Sequence, residues 1–161
     1  MRLLMILLFW SFVSGYAFAD CAKDSYGKVF CGRGKCERDV NGNVKCSSSP
    51  FGGAMRDLGG NVKCGKGQCV TDSHGNVICS GAELGGAQRD NSGDVKCGIG
   101  QCIMDSSGNV YCSKISNGGA TIDVSGNAKC AGGCEKGSSN LCESGSSQLC
   151  ESMPEGTSLN K

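Results

Sequence analysis

Cysteines return in this chain at a fixed interval of 33 residues: Cys31, Cys64, Cys97 and Cys130 form one series, Cys36, Cys69 and Cys102 a second, and Cys46, Cys79 and Cys112 a third. A constant period of this length signals a repeat architecture, in which each unit buries its apolar face only by stacking on a neighbour. Inside the period lies a finer unit, Asp-x-x-Gly-x-(Val/Ala)-x-Cys. It starts seven times, at Asp24, Asp39, Asp57, Asp72, Asp90, Asp105 and Asp123, alternately 15 and 18 residues apart.

The unit reads as a β-hairpin, and its geometry follows from the copy Gln68 to Ser80. Short β-favouring runs flank Asp72-Ser73-His74-Gly75, and a glycine at that place suits a three-residue loop: a type I turn followed by a left-handed residue. Asp72 then faces Asn76 as a hydrogen-bonded pair, and its carboxylate can accept backbone N–H bonds from the loop. Thr71 faces Val77, Val70 faces Ile78 and Cys69 faces Cys79. The cysteine pair is of the non-hydrogen-bonded type, with Cα atoms about 4.5 Å apart, at the short end of the disulfide range. A cross-strand disulfide at the hairpin mouth is expected. A two- or four-residue loop would instead place Cys69 opposite a residue that is not cysteine.

The same register divides the seven hairpins into two kinds. Four hold facing cysteines, Cys21 with Cys31, Cys36 with Cys46, Cys69 with Cys79 and Cys102 with Cys112. In the other three the partner is alanine: Ala54 opposite Cys64, Ala87 opposite Cys97 and Ala120 opposite Cys130. Cys64, Cys97 and Cys130 therefore need partners elsewhere; bridges between repeats are one candidate, and Cys130 can also close on Cys134. Strand alternation puts Val29, Val44, Val62, Val77, Val95, Val110 and Ala128 on the same side as the cysteines. The opposite side varies, from Glu37 and Lys45 to Val70 and Ile78. The constant side is read as the core, the variable side as a solvent face able to carry recognition.

Cys-Gly-x-Gly-x-Cys, as in Cys64 to Cys69, joins the hairpins of a pair and reads as a tight turn, since nothing after it continues into a helix as a phosphate loop does. Longer connectors such as Ser47 to Gly53 join one pair to the next. After Cys130 the pattern degenerates into an octad, Cys134 to Leu141, echoed by Cys142 to Leu149 and then Cys150-Glu151-Ser152. Its serine and glycine content suggests a loosely ordered, disulfide-pinned cap over residues 131–152, followed by a disordered tail, 153–161.

Residues 1–19 have the form of a cleaved secretory signal: a positive start at Arg2, an apolar run from Leu3 to Val13, and small residues at Ala17 and Ala19. The run is too short to span a membrane, so no membrane insertion is expected after its removal. All 14 cysteines follow it. An even count at this density in an exported chain reads as a disulfide framework, and a secreted or periplasmic location is expected. Of 16 Lys and Arg against 15 Asp and Glu, Arg2 lies in the leader, so the rest balance. Interspersed charge without a basic patch gives no reason to expect nucleic acid as partner.

Few residues suggest chemistry. His74, the single histidine, falls at a loop apex with no nucleophile recurring around it. Asp39-Val40-Asn41-Gly42-Asn43 places oxygen ligands at alternate positions, as calcium loops do, but lacks the full signature and its distal glutamate; capping of the turn explains it. No catalytic residue, cofactor or metal ligand is assigned, and the cysteine spacings fit zinc pairs only loosely.

In Asp39 to Val44, Asp72 to Val77 and Asp105 to Val110, the pattern Asp-x-x-Gly-Asn-Val resembles the hairpins of the YD (RHS) repeats that wrap large secreted toxins and adhesins. The likeness covers about six residues per hairpin. Arg38, Thr71 and Met104 stand where that family has tyrosine, and the cysteines are foreign to it. The Cys-Gly-x-Gly-x-Cys segments are similar to parts of epidermal-growth-factor modules, which need more cysteines per unit than these repeats hold. No function or site is carried over from either.

The expected fold is all-β, a small disulfide-rich repeat protein of serial hairpins in an elongated array over residues 20–130, closed by the cap. The expected function is non-enzymatic: an exported structural or binding protein of the envelope or extracellular space, whose partner is another protein or a cell-envelope polymer. Two alternatives stand beside it. One is a secreted inhibitor or toxin using Ser47 to Gly53 as a wedge. The other is a metal-binding or redox protein using Cys64, Cys97, Cys130, Cys134, Cys142 and Cys150.

Overall fold

The computed structural model describes residues 20–152; the expected leader and the C-terminal tail lie outside them. Seven hairpins follow one another. They are β1 (Asp20–Lys23) with β2 (Val29–Gly32), β3 (Cys36–Arg38) with β4 (Val44–Ser47), β5 (Ala54–Arg56) with β6 (Val62–Cys64), and β7 (Cys69–Thr71) with β8 (Val77–Ser80). Then come β9 (Ala87–Arg89) with β10 (Val95–Cys97), β11 (Cys102–Met104) with β12 (Val110–Ser113), and β13 (Ala120–Ile122) with β14 (Ala128–Cys130). Among the described residues no helix is long and apolar enough to cross a membrane.

The loop chemistry sets the register. In hairpin 4 the Asp72 N–H donates to the Asn76 carbonyl (2.9 Å), and Asp72 Oδ1 accepts from the N–H groups of His74 and Asn76 (2.8 Å each). The glycine that closes each loop has φ between 77° and 90°, the left-handed region where a side chain is penalised. Cys69 then pairs with Cys79, Val70 with Ile78 and Thr71 with Val77. The cross-strand disulfides Cys21–Cys31, Cys36–Cys46, Cys69–Cys79 and Cys102–Cys112 hold their Cα atoms 3.9 to 4.0 Å apart, closer than the spacing of about 4.5 Å expected for a pair of this type.

The hairpins stack face to face. The cysteine side of each packs on the variable side of the one before it: Ala22 and Phe30 lie against Cys36, Val44 and Cys46, Met55 against Cys69, Val77 and Cys79, and Val70 and Ile78 against Ala87, Val95 and Cys97. This corrects the reading of the variable side as a solvent face. Alternation separates the two sides of a strand, but in a stack of two-stranded sheets both sides meet a neighbour. The core is accordingly a column, with Val62 fully buried in the middle and Val29 42% exposed at the free end.

The stacking also explains the first glycine of Cys-Gly-x-Gly-x-Cys. A Cβ on Gly32, Gly65 or Gly98 would overlap the Cβ of Cys46, Cys79 or Cys112, the second cysteine of the next hairpin's disulfide. Close approach, not the turn, demands glycine there.

Residues 131–152 do not cap the end of the array, as their composition suggested; they run back along it. Strand β15 (Cys134–Lys136) adds to β12, β16 (Cys142–Ser144) to β8 and β17 (Cys150–Ser152) to β4, always antiparallel. Between them, Ser138 exchanges both backbone hydrogen bonds with Cys97 (3.0 and 2.9 Å), and Ser146 does the same with Cys64. Single 3-10 turns, Ser139–Leu141 and Ser147–Leu149, carry the chain to the next contact. One octad of the returning segment thus descends one 33-residue repeat and covers second-strand edges that would otherwise be open to pairing with another chain.

Candidate functional site

Three disulfides fix the returning segment: Cys130–Cys134, Cys97–Cys142 and Cys64–Cys150. The six cysteines left over by the hairpin register pair in reverse order, as an antiparallel return demands, and all fourteen are bridged. Alanines 54, 87 and 120 face Cys64, Cys97 and Cys130, whose sulfurs bond to the returning segment instead of across the hairpin. Leu149 and Cys150 pack on the Ala54, Val62 and Cys64 cluster. Lys63 and Lys96, on the variable side, reach Ser147 and Ser139 (3.0 Å each), and Lys66 lies 3.7 Å from Glu143.

The surface feature that recurs with the repeat is a groove of about 450 Å³ along the hairpin mouths. It is lined by two triplets, Lys35, Gln68 and Gln101 and then Phe51, Leu84 and Asn117, together with Asp20 and Gly34. Both triplets keep the 33-residue period. The Gln68 Nε2 amide donates to Gln101 Oε1 at 2.7 Å, linking two repeats through side chains. Phe51, Leu84 and Asn117 each occupy the third place of a four-residue turn, closed by the N–H of Gly52 on Ser49 O, of Gly85 on Ala82 O and of Gly118 on Ile115 O. Their φ values are 61°, 59° and 58°. The main chain beneath the groove is occupied: the N–H of Lys35, Gln68 and Gln101 donates to Gly52, Gly85 and Gly118, and their carbonyls accept from Ser47, Ser80 and Ser113.

These residues were missed in the sequence because they lie in connectors, where neither strand alternation nor cysteine spacing marks a face. The period itself was the available signal. Ser47, Ser80 and Ser113, equally periodic, are fully buried; their hydroxyls donate to the carbonyls of Gly65, Gly98 and Ala131.

His74 sits exposed at a loop tip. The Asp39 carboxylate, considered above as a cation ligand, is engaged by its own loop: Oδ1 accepts from the N–H of Asn41 and Asn43 (2.9 and 2.8 Å), and Oδ2 from the Asn43 amide (3.3 Å). Among the described residues no group of three or more His, Cys, Asp or Glu is placed to hold a metal ion.

Two of the loop aspartates, Asp39 and Asp72, have a measurable signature. The side-chain amide of Asn76 holds Asp72 below its usual pKa of 3.8, against the opposing effect of burial and with help from the N–H groups of Asn76 and His74. Burial pushes Asp39 upward, but the hydrogen bonds from Asn43 and Asn41 and the charge of Lys45 outweigh it. A carboxylate lowered in the folded state stabilises fully above the unfolded value, and that contribution is lost as pH falls through the folded one. The loops of Asp39 and Asp72 are therefore expected to hold as the pH drops to 3.8 and to loosen only below it. Carbon chemical shifts of the Asp72 carboxyl across an acid titration test this; a midpoint at or above the usual value would contradict it.

No protein-family model, curated protein or solved structure matches this chain.

Proposed function

We propose that this is an exported, non-enzymatic protein that works outside the cytosol as a structural or binding element. One observation carries the reading: every cysteine is in a disulfide, and three of the seven bridges weld the C-terminal segment back along the array. Disulfides at this density form and persist in oxidising compartments and replace the large core that short strands cannot supply. A stack whose second-strand edges from β4 to β12 are covered by its own chain suits a surface that must outlast proteases and denaturing conditions.

No observation favours the two alternatives. The connector Ser47 to Gly53 is anchored at its start, where Ser47 is buried and the N–H and hydroxyl of Ser48 both donate to Leu149 O (2.9 Å each). The metal or redox reading depended on six leftover cysteines, which are now paired with one another.

Expression of the whole chain in a secreting host tests the proposal. The protein is expected in the exported fraction, with a mass 14 hydrogens below that of its reduced form and unchanged by a thiol-alkylating reagent. Retention in the cytosol with alkylatable cysteines would overturn it.

A further inference from the structure

The returning segment crosses from one hairpin to the next twice in the same way. Between hairpins 5 and 6 the Gly137 N–H donates to Val110 O (2.9 Å) and Ser138 pairs with Cys97; between hairpins 3 and 4 the Gly145 N–H donates to Val77 O (2.8 Å) and Ser146 pairs with Cys64. Both crossings demand glycine. A Cβ on Gly137 would lie 2.9 Å from Lys96 Cβ, and one on Gly145 would lie 2.8 Å from Val77 Cγ1 and 2.9 Å from Lys63 Cβ. One period earlier the corresponding places in hairpins 1 and 2 are held by Val44, for Val77 and Val110, by Phe30, for Lys63 and Lys96, and by Cys31, for Cys64 and Cys97. Phe30 and Val44 line a cavity of about 530 Å³, and Ser152, the last residue of β17, lines it too. This is a third crossing of the same build.

The chain's own sequence does not complete it. Met153, Pro154 and Thr157 stand where the octad has Gly145, Ser146 and Leu149, so the glycine, the N–H that would pair with Cys31 and the leucine are all missing. Val44 O and the N–H and C=O of Cys31, which the register turns away from their hairpins, pair with no described residue. The cysteine chemistry changes at the same place. Cys64 and Cys97 weld the other two crossings through Cys150 and Cys142, whereas Cys31 is closed on Cys21, which replaces the alanine of the later repeats. The strand edge is kept and the covalent link is given up, so what docks here stays exchangeable. The charged lining does not call for an ion. Asp24 accepts from the N–H groups of Tyr26 and Lys28, Asp39 accepts from those of Asn41 and Asn43, and Lys45 offsets the charge of Asp39. Asp57 and Asp72 hold the same places one period on, in the hairpins whose crossing takes the uncharged run Gly145 to Leu149. We propose that the cleft between hairpins 1 and 2 docks an extended segment of a partner protein that carries glycine and, four residues on, leucine. The glycine passes between Phe30 and Val44, the next residue pairs with Cys31 as a strand added to β2, and the leucine covers Val29, 42% exposed, as Leu149 packs against the fully buried Val62.

This proposal rests on the binding reading of the protein, and one experiment separates the two. The exported, fully oxidised whole chain is titrated with the end-blocked peptide Gly-Ser-Ser-Gln-Leu, the sequence of residues 145–149, and followed by amide chemical shifts. Saturable binding with Kd of about 1 mM or tighter is expected, with the largest shifts at Cys31 and Val44. Affinity should fall tenfold or more when alanine replaces the peptide's glycine or when its first serine is N-methylated. The triple variant Met153→Gly, Pro154→Ser, Thr157→Leu supplies the same residues within the chain and should no longer take up the peptide. No binding up to about 10 mM, or binding indifferent to these changes, would overturn the docking site and leave the exported structural reading in place. Nuclear Overhauser contacts from residues 153–161 to Cys31 in the free protein, or a sedimentation mass that doubles with concentration, would give the cleft to the chain's own tail or to a second copy and overturn the partner. Reduced protein in the cytosol would overturn both readings.

Discussion

Replacing Cys64 and Cys150 together by alanine is expected to destabilise the protein by about 3–5 kcal/mol, the largest effect of removing any one of its bridges. The bridge spans 86 residues of sequence, against 10 for each cross-strand bridge. In the chain-entropy account the unfolded-state restraint grows with the logarithm of the loop, giving about 4.6 kcal/mol for the long link and about 2.7 for a hairpin link, each taken alone. Other bridges shorten the effective loop, so the measured difference will be smaller, but its sign is fixed. Packing acts in the same direction. Cys64 is fully buried and Cys150 lies with Leu149 against Ala54 and Val62, so the change releases an apolar contact as well as a covalent one.

The location of the effect is as diagnostic as its size. Strand β17 pairs with β4 through Glu151 opposite Cys46, and its anchor is the lost bridge. Amide exchange should therefore rise at Glu151 and along β4 in the double variant while hairpins 5 and 6, still held by Cys97–Cys142 and Cys102–Cys112, keep their protection. In Cys69→Ala with Cys79→Ala the loosening should stay within hairpin 4. Equal losses of stability in the two double variants, with no selective exchange at β17, would mean that the returning segment adds no long-range restraint.

The array itself was legible because each hairpin is a local object. Asp72, Gly75 and the spacing from Cys69 to Cys79 settle loop length, register and bridge without reference to the rest of the chain. The returning segment was not legible in this way. Its octad and the 33-residue period share no common step along the sequence, and only in space does one octad descend one repeat. What the sequence does contain is a matching count: Cys64, Cys97 and Cys130 lack partners, and Cys134, Cys142 and Cys150 follow at even intervals. A count permits several connectivities, and the antiparallel run of the segment along the second strands selects one. The groove was hidden for a different reason. Its cost is a sign of φ at Phe51 and Leu84, which residue type argues against.

The reading of Cys-Gly-x-Gly-x-Cys as a turn and the finding that its first glycine serves close packing make opposite forecasts for Gly65→Ala. A glycine needed by a turn is needed for its conformation, yet Gly65 does not have positive φ. Alanine would be tolerated there if backbone conformation were all that mattered. In the stack, however, the added Cβ meets Cys79 Cβ and lies 2.5 Å from Cys79 Sγ and 3.1 Å from Cys69 Sγ. A lone side chain can rotate out of such a contact. A disulfide pinned to two strands cannot, so hairpin 4 must move away from hairpin 3 as a unit. We expect Gly65→Ala to cost about 3 kcal/mol, the upper part of the range for overpacking. Two controls separate the causes. Gly119→Ala, where no atom lies within 4 Å, should be close to neutral; Gly27→Ala, equally open but at φ 82°, should cost about 1–2 kcal/mol from conformation alone. Denaturant midpoints of the three oxidised variants decide between the accounts. If Gly65→Ala falls with Gly119→Ala, the hairpins are not stacked as closely as their disulfides and glycines require.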